Sequence, residues 1–572
     1  MIIGLDVGGT HTDVVLLGDS GLVRQVKVPT DAANLFRTVL AGLESVTTSL
    51  SAPELHRIVL STTLTTNAIA QEKLPPVGMI VSSGPGLDPE SHRTNAHYFA
   101  VSGSIDHRGR EVASVSEGEV RQVAAGLKAD GIRTVGIVGK FSIRNPRHEL
   151  QIQAMLKDQF EKVFMGHQVS GSLNFARRVA TTYLNAAVYP IHRSFFDAVQ
   201  KSLAQKGLGV PLLILKADGG TMNLGASIEF PGQTILSGPA ASVMGAVAFA
   251  PDDADAMVMD IGGTTTDIAI IRNRIPQLHP IGARLGGYRT LIRSLETRSI
   301  GIGGDSVVTV THGGLQIGPQ RQGPAMAFGG PRPTPTDALF IMGEMSGGDQ
   351  RASARGMAAV AQDLGLSIED AARRVFDEAC RRILAEAREL TDRVNNRPVY
   401  TVQDLQRGDK LDPALILILG GPAPYFARRL ETLSGKRVKL VPRWQVANAI
   451  GAALARTTCE VVVFADTHRG MVMAPEENFT GTVDQRFTSR DAVETAFGLL
   501  KTKAFQIGAQ EDDLEMEVLE NLQFNMVRGF RTTGKNLRVK VQVKPGLIRT
   551  YEKMTAHPPS TSTAQERTDR VT

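Results

Sequence analysis

Asp6-Val7-Gly8-Gly9-Thr10-His11-Thr12-Asp13 returns 254 residues later as Asp260-Ile261-Gly262-Gly263-Thr264-Thr265-Thr266-Asp267, with six of eight positions identical. Each copy lies between apolar runs. Ile2-Ile3-Gly4-Leu5 and Val14-Val15-Leu16-Leu17 flank the first; Met257-Val258-Met259 and Ile268-Ala269-Ile270-Ile271 flank the second. An apolar run, a glycine turn and a second apolar run spell a strand–turn–strand hairpin rather than the start of a helix. Two such hairpins, one in each half of the chain, predict a duplicated α/β protein that grips one ligand from both sides.

Their chemistry defines the ligand. Paired glycines let an anion approach backbone N–H groups, and Thr10 and Thr264 add hydroxyl donors. The aspartates of the turns would repel a bare phosphate, so a cation must stand between them and it. Magnesium fits, because it keeps several waters and takes one or two carboxylates together with phosphate oxygens. The expected ligand is a magnesium-bound polyphosphate. A plainer reading, two β-turns that happen to be rich in Gly, Thr and Asp, competes evenly with a single copy; the repeat decides for phosphate.

Two rival glycine motifs fall short. Gly529-Phe530-Arg531-Thr532-Thr533-Gly534-Lys535-Asn536 nearly spells a P-loop, but Asn536 replaces the Ser or Thr that would hold magnesium. The Leu537 to Val543 run after it alternates with period two, a strand pattern where a P-loop needs a helix. Gly301-Ile302-Gly303-Gly304-Asp305 lacks the strand–helix context of a dinucleotide site.

The 572 residues are enough for more than one domain. The excess of 63 basic over 58 acidic residues is small and scattered, and aromatics are only 5%, which argues against nucleic-acid binding. Cys380 and Cys459 have no paired spacing, so neither a disulfide framework nor a structural zinc site is expected, in keeping with a reducing cytoplasm. Met1-Ile2-Ile3 leads straight into a strand, which leaves no room for a signal peptide, and no apolar run reaches membrane-spanning length.

Strand and helix patterns alternate through the first half, the mark of a parallel or mixed sheet with covering helices. Strands are expected at 57–60, 77–81, 135–138 and 210–216, and helices at 117–129 and 172–188, the latter able to cross between halves. Residues 313–335, rich in Gly and Pro, read as loop. Ser367, with Asp370 as its capping-box partner, opens a long helix to Val394. Leu415 to Leu419 is a buried strand that breaks into Gly420-Gly421, where bare backbone can approach a flat ring; an ordinary strand-to-helix loop is the alternative there. Val446 to Ala455 is a small-residue helix suited to close packing. Beyond Cys459 come short strands and a helix at 490–502, and the Ser-, Thr- and Pro-rich residues 553–572 read as a disordered tail.

The order of hairpin, crossing helix, second hairpin, Gly-Gly turn and small-residue helix resembles the phosphate-1, connect-1, phosphate-2, adenosine and connect-2 motifs of the actin, hexokinase and heat-shock-chaperone ATPase superfamily. The chain is more closely similar to the hydantoinase/oxoprolinase family, the A-type subunit of ATP-dependent hydantoin- and 5-oxoproline-cleaving enzymes. Acetone and acetophenone carboxylase subunits belong to the same group. Matching stretches are Gly4 to Leu17, Ser61-Thr62-Thr63-Leu64-Thr65-Thr66-Asn67-Ala68, Phe141 to Glu149, Leu236-Ser237-Gly238-Pro239-Ala240 and Met259 to Ile271.

The resemblance implies two actin-like (ribonuclease H-like) halves, residues 1–178 and 179–458, around a nucleotide cleft. A small α+β region follows at 459–552. It implies Asp6 and Asp260 as magnesium ligands through water, and Gly8, Gly9, Thr10, Gly262, Gly263 and Thr264 as the cradle of the ATP phosphates. Gly420 and Gly421 would flank the adenosine, and Asp218-Gly219-Gly220 and Gly238-Pro239 would build loops around the nucleotide. Asp13 and Asp267 are either catalytic or turn-closing. Thr62, Thr63, Thr65 and Asn67 line the catalytic cleft or make turn hydrogen bonds. The chain departs from the family in placing Glu296 and Arg298 where an Asp-x-His is frequent, and in reducing an Asp-Pro-Gly-Pro loop to Gln322-Gly323-Pro324.

The implied activity is ATP-dependent phosphorylation of the carbonyl oxygen of a cyclic amide (hydantoin, 5-oxoproline or a related lactam) for ring opening. Its partners would be a B-type subunit and a second copy of the chain. An ATPase that reactivates a partner enzyme, a ketone carboxylase subunit and a sugar or acyl kinase stand as alternatives.

Overall fold

In the computed structural model, which describes residues 1–9, 11–31, 34–47, 55–252, 254–397 and 410–548, both glycine turns join antiparallel strands. Strands β1 (Ile2–Val7) and β2 (His11–Gly18) form the first hairpin. With β3 (Gly21–Pro29), β4 (Arg57–Thr62), β5 (Leu212–Leu215) and β6 (Thr221–Asn223) they make a sheet of order β6-β5-β4-β1-β2-β3. Strands β7 (Ala256–Ile261) and β8 (Thr266–Arg272) form the second hairpin. Its sheet runs β9-β8-β7-β11-β12, with β9 at Ile275–Pro276, β11 at Leu415–Leu419 and β12 at Arg437–Leu440, while β10 (Thr297–Ile300) pairs with β8. In both sheets the first hairpin strand has a parallel neighbour on its other side, β4 beside β1 and β11 beside β7. All six residues of β1 and all five of β11 are buried, as strands covered on both faces must be.

Two more sheets of four and five strands, with three two-stranded ribbons, make up the rest of the described strands of this mixed α/β protein. One is parallel and holds Gly78–Ser82, Tyr98–Ala100, Thr134–Gly139 and Lys162–Met165. The other is antiparallel, of order β15-β14-β13-β17-β16, with β13 at Glu460–Asp466, β14 at Met471–Ala474, β15 at Phe479–Thr482, β16 at Met516–Arg528 and β17 at Arg531–Val543. The near-P-loop stretch lies in the β16–β17 hairpin, not between a strand and a helix.

The helices that bear on the site are α1 (Leu64–Ala70), α2 (Phe175–Gln205), α3 (Ser237–Val247), α4 (Ile368–Asn395), α5 (Ala423–Ser434) and α6 (Ala447–Leu454). Helix α2 runs well past the expected end at 188, with Pro190 inside it. An interior proline costs roughly 3 kcal/mol. Phe195, Phe196, Val199 and Leu203 offset this by packing into the core under β1 and β4. The expected loop at 313–335 also contains structure: Gly314–Ile317 pairs with Val308–Thr311, and Met326–Phe328 is a 3-10 turn. Among the described residues no helix is long and apolar enough to cross a membrane. The expected tail at 553–572 lies outside the described residues.

Candidate functional site

The two hairpins carry equivalent polar rows. Asp6 stands opposite Asp13, Asp13 opposite Lys27, and on the other side Asp6 opposite Ser61, so Ser61, Asp6, Asp13 and Lys27 line up across four strands. In the second sheet Asp260 is opposite Asp267, and Asp267 opposite Ser299. Both turns close alike, Gly8 N donating to His11 O at 3.1 Å and Gly262 N to Thr265 O at 2.9 Å. Thr10 lies outside the described residues.

Helices α3 and α6 hold the rows together. A Cβ on Gly4 of β1 would stand 2.2 Å from Ala449 O of α6, and one on Gly451 of α6 would stand 2.1 Å from Gly245 N of α3. That closeness, possible only with small residues, lets α6 present Asn448 to both sheets. Asn448 Nδ2 donates to Asp260 Oδ2 at 3.4 Å, and the same side chain hydrogen-bonds Asp6. Ser242 Oγ of α3 donates to Asp260 Oδ2 at 2.5 Å, and Ser61 hydrogen-bonds Asp6. Asp6 is 7% exposed and its Oδ1 has no hydrogen-bond partner.

Electrostatics follows from this crowding. Burial, then the charge of Asp13, pushes the Asp6 carboxyl up to about 7, with Asp260 adding to the effect. Burial, then Asp260, does the same for Asp267, also to about 7. Asp13 and Asp260 are raised by burial as well; for Asp13 the Lys27 ammonium, 2.6 Å from Oδ1, pulls the other way. Asp6, with its orphaned oxygen, and Asp260 lie close enough to feel each other's charge, a pair suited to a hard divalent cation that takes one or two carboxylates and keeps part of its water shell. Among the described residues no group of three or more His, Cys, Asp or Glu side chains is placed to hold a metal ion by itself.

The segment 61–68 ends β4 and starts α1. Thr62 Oγ1 accepts from Leu64 N at 3.2 Å, which turns the chain into the helix. Asn67 Nδ2 donates to Thr63 Oγ1 at 3.2 Å and lies 3.8 Å from where a Gly9 Cβ would stand, so Thr63 and Asn67 border the first turn. Thr65 is buried instead, its hydroxyl without a partner. Ser237 Oγ donates to Thr62 O at 2.8 Å, joining two of the stretches that carry the family resemblance.

Gly420, at φ +95°, follows β11 directly beside β7: a Cβ there would lie 2.5 Å from Asp260 Oδ1. A Cβ on Gly421 would meet nothing within 4 Å. The second turn has a further lining that its sequence alone did not reveal. Gly304 N donates to Gly262 O at 3.0 Å and Asp305 N to Gly263 O at 2.7 Å, so the Gly301 to Asp305 motif is a strap on that turn. Arg321 Nη2 pairs with Asp305 Oδ2 at 2.9 Å, and its Nη1 lies 3.5 Å from Thr264 Oγ1. Ser242, Asn448 and Arg321 were not anticipated, since they carry no motif of their own, and Asp305 was read only as the end of a weak glycine motif.

Other singled-out residues are engaged in ion pairs and hydrogen bonds. Glu296 is buried between Arg397, 2.6 Å away, and Arg393, and Arg298 pairs with Glu386 at 2.8 Å. Asp218 is buried against Lys216, Arg293 and Thr458. Within Phe141 to Glu149, Glu149 accepts from Gly139 N at 2.7 Å and contacts His167 Nδ1 at 2.6 Å.

Comparison with known proteins fits this geometry. Residues 2–160 match the hydantoinase/oxoprolinase N-terminal region and residues 178–461 match hydantoinase/oxoprolinase. The chain belongs to the hydantoinase/oxoprolinase family. Its relatives include the caprolactamase subunit alpha of Pseudomonas jessenii, 25% identical over 77% of this chain and 68% of that one. The acetophenone carboxylase gamma subunit of Aromatoleum aromaticum is 24% identical over 92% of this chain and 77% of its own length. The crystal structure of the ATP-dependent caprolactamase from Pseudomonas jessenii superposes with a TM-score of 0.71 at 19% identity, over 96% of this family member and 88% of that chain.

Proposed function

We propose that this chain is an ATP-dependent, A-type subunit that activates a cyclic amide. Its two hairpins belong to actin-like halves that close on one triphosphate, Gly8, Gly9 and Thr10 from one side and Gly262, Gly263 and Thr264 from the other. The observation that carries the reading is the repeated pair of facing aspartates, Asp6–Asp13 and Asp260–Asp267, brought together by Asn448. Magnesium, when bound, supplies neutralisation of the phosphate charge; Asp6 and Asp260 would hold it through water. Gly420, next to Asp260, leaves bare backbone where the rest of the nucleotide passes. Thr63 and Asn67 at the first turn orient the substrate carbonyl.

The carbonyl oxygen of the amide attacks the γ-phosphorus, the bond from that phosphorus to the β,γ-bridging oxygen breaks, and ADP leaves with the electron pair. The amide N–H gives up its proton to solvent as the C=N bond forms, and the product is an imidate phosphate whose carbon is open to water. Positioning and charge neutralisation are the protein's share of such a transfer. Support for the substrate class comes from the caprolactamase relative, and the word subunit in the names of both relatives supports a B-type partner for ring opening.

The likeness to a ketone carboxylase subunit favours a second reading, in which the phosphorylated oxygen is that of a ketone. Incubating the protein with ATP, magnesium and either cyclic amides or ketones with bicarbonate, with and without a B-type chain, separates the two. Substrate-dependent ADP release with amides and not ketones supports the first. ADP release that ignores both, or none at all, refutes both.

A further inference from the structure

Five carboxylates, those of Asp6, Asp13, Asp260, Asp267 and Asp305, stand on or beside the two turns, and a triphosphate entering there needs cationic help beyond one divalent ion. Lys27 is engaged in the first row, bonded to Asp13. The second turn has a different cation. Arg321 lies with Nη1 3.5 Å from the Thr264 hydroxyl, Nη2 on Asp305 and Nε donating to Gly323 O at 3.2 Å. Its side chain is one-third exposed, so a ligand can reach it. Asp305 stands on the turn itself: its N–H donates to Gly263 O at 2.7 Å, and a Cβ on Gly263 would lie 2.7 Å from its Oδ2. A fixed carboxylate at the glycine that approaches phosphate would repel the anion unless a guanidinium covers it.

We propose that Arg321 is a phosphate-binding residue of the second turn, gripping the terminal phosphate of ATP through Nη1 while Nη2 stays on its counter-ion Asp305. The proposal rests on the ATP reading above. A guanidinium presents N–H groups on separate nitrogens fixed in one plane, so one can hold a phosphate oxygen while another keeps the carboxylate, a geometry an ammonium lacks. The competing role, a surface ion pair that merely braces the strap, would contribute little to stability and would not distinguish one nucleotide from another.

Calorimetric titration of the full chain with magnesium and either ADP or a non-hydrolysable ATP analogue tests it, using R321A and R321K beside the unaltered protein. R321A is expected to weaken the ATP analogue about tenfold or more, the loss of a charge-assisted contact, and ADP by less than about threefold on the same scale. R321K should recover part of the difference. In the assay that supports the reaction, R321A should lower kcat by about 10²-fold or more, with an unshifted Tm. Equal weakening of both nucleotides, or no change in either, overturns the role of Arg321 while the ATP reading stands. Failure of the unaltered protein to bind either nucleotide overturns that reading and this proposal with it.

Discussion

A carboxyl group that keeps its proton to about pH 7 is a poor magnesium ligand below that pH. Asp6 is in that position because burial and the charge of Asp13 oppose its ionisation, and Asp267 because burial and Asp260 do. The sign of the effect differs between the free and the loaded protein. In the free protein both groups hold protons that the unfolded chain releases, between the usual value of 3.8 and about 7, so their contribution makes stability fall as pH rises through that window. Magnesium needs the ionised form, so affinity for magnesium nucleotide should rise from pH 6 to pH 8 with proton release on binding. Titrations in buffers of different ionisation enthalpy read the released protons directly. Asp6→Asn should weaken magnesium-dependent nucleotide binding, reduce the proton release, and flatten the decline of Tm between pH 4 and 7. Affinity independent of pH over that range would show that Asp6 and Asp267 do not titrate with the metal.

At the scale of elements, the site depends on how closely α3 and α6 approach. Gly451 faces Gly245 N, so Gly451→Ala forces the helices apart and carries Ser242 and Asn448 away from Asp260. A loss of about 1–3 kcal/mol in denaturant unfolding is expected from such overpacking, with weaker nucleotide binding. Gly126, in the exposed middle of the helix Glu117–Ala129, is the control: a Cβ there meets nothing within 4 Å. Gly126→Ala should therefore stabilise by about 0.5–1 kcal/mol and leave binding unchanged. Should Gly451→Ala behave like Gly126→Ala, the helix contact does not set the site. These contacts also show what a sequence can tell. The hairpins were legible because strand periodicity and a glycine turn are local, and α6 because its small residues announce close packing. The start of α1 was not: Leu64 N donates to the Thr62 hydroxyl just ahead of it, a local bond that no apolar pattern signals. Nor was the length of α2, where tertiary burial of Phe195 and Phe196 outweighs the local cost of Pro190. Arg321 was invisible, and Asp305 legible only as the end of a weak glycine motif, for a similar reason, since only the fold brings their loops onto the second turn.

Across the whole molecule, the first hairpin sheet is tied to the antiparallel sheet through a buried ionic junction. Lys216 follows β5; its Nζ donates to Thr458 O at 2.7 Å and lies 3.3 Å from Asp218 Oδ2. Thr458, in the connection from α6 to β13, donates to the same carboxylate at 2.8 Å, and Arg293 links Asp218 to Gln542 of β17. Burial opposes the charge of Asp218, yet Lys216 and Arg293 outweigh it and hold the carboxyl below its usual range; burial pulls the Lys216 ammonium down. Removing one partner strands the other in the interior. Asp218→Ala should cost about 3–5 kcal/mol in chemical unfolding, whereas combining it with Lys216→Met should restore much of that loss, because an uncompensated buried charge costs more than an absent pair. The connection that carries Thr458 also leaves α6, the helix that bears Asn448, so Asp218→Ala should weaken nucleotide binding at protein concentrations and temperatures where it remains folded, and the double variant should regain affinity together with stability. If affinity stays low in the double variant while stability returns, Asp218 acts on the nucleotide itself rather than through the junction. If the single variant unfolds within about 0.5 kcal/mol of the parent, the range of an ordinary surface change, the junction is not a determinant of the fold.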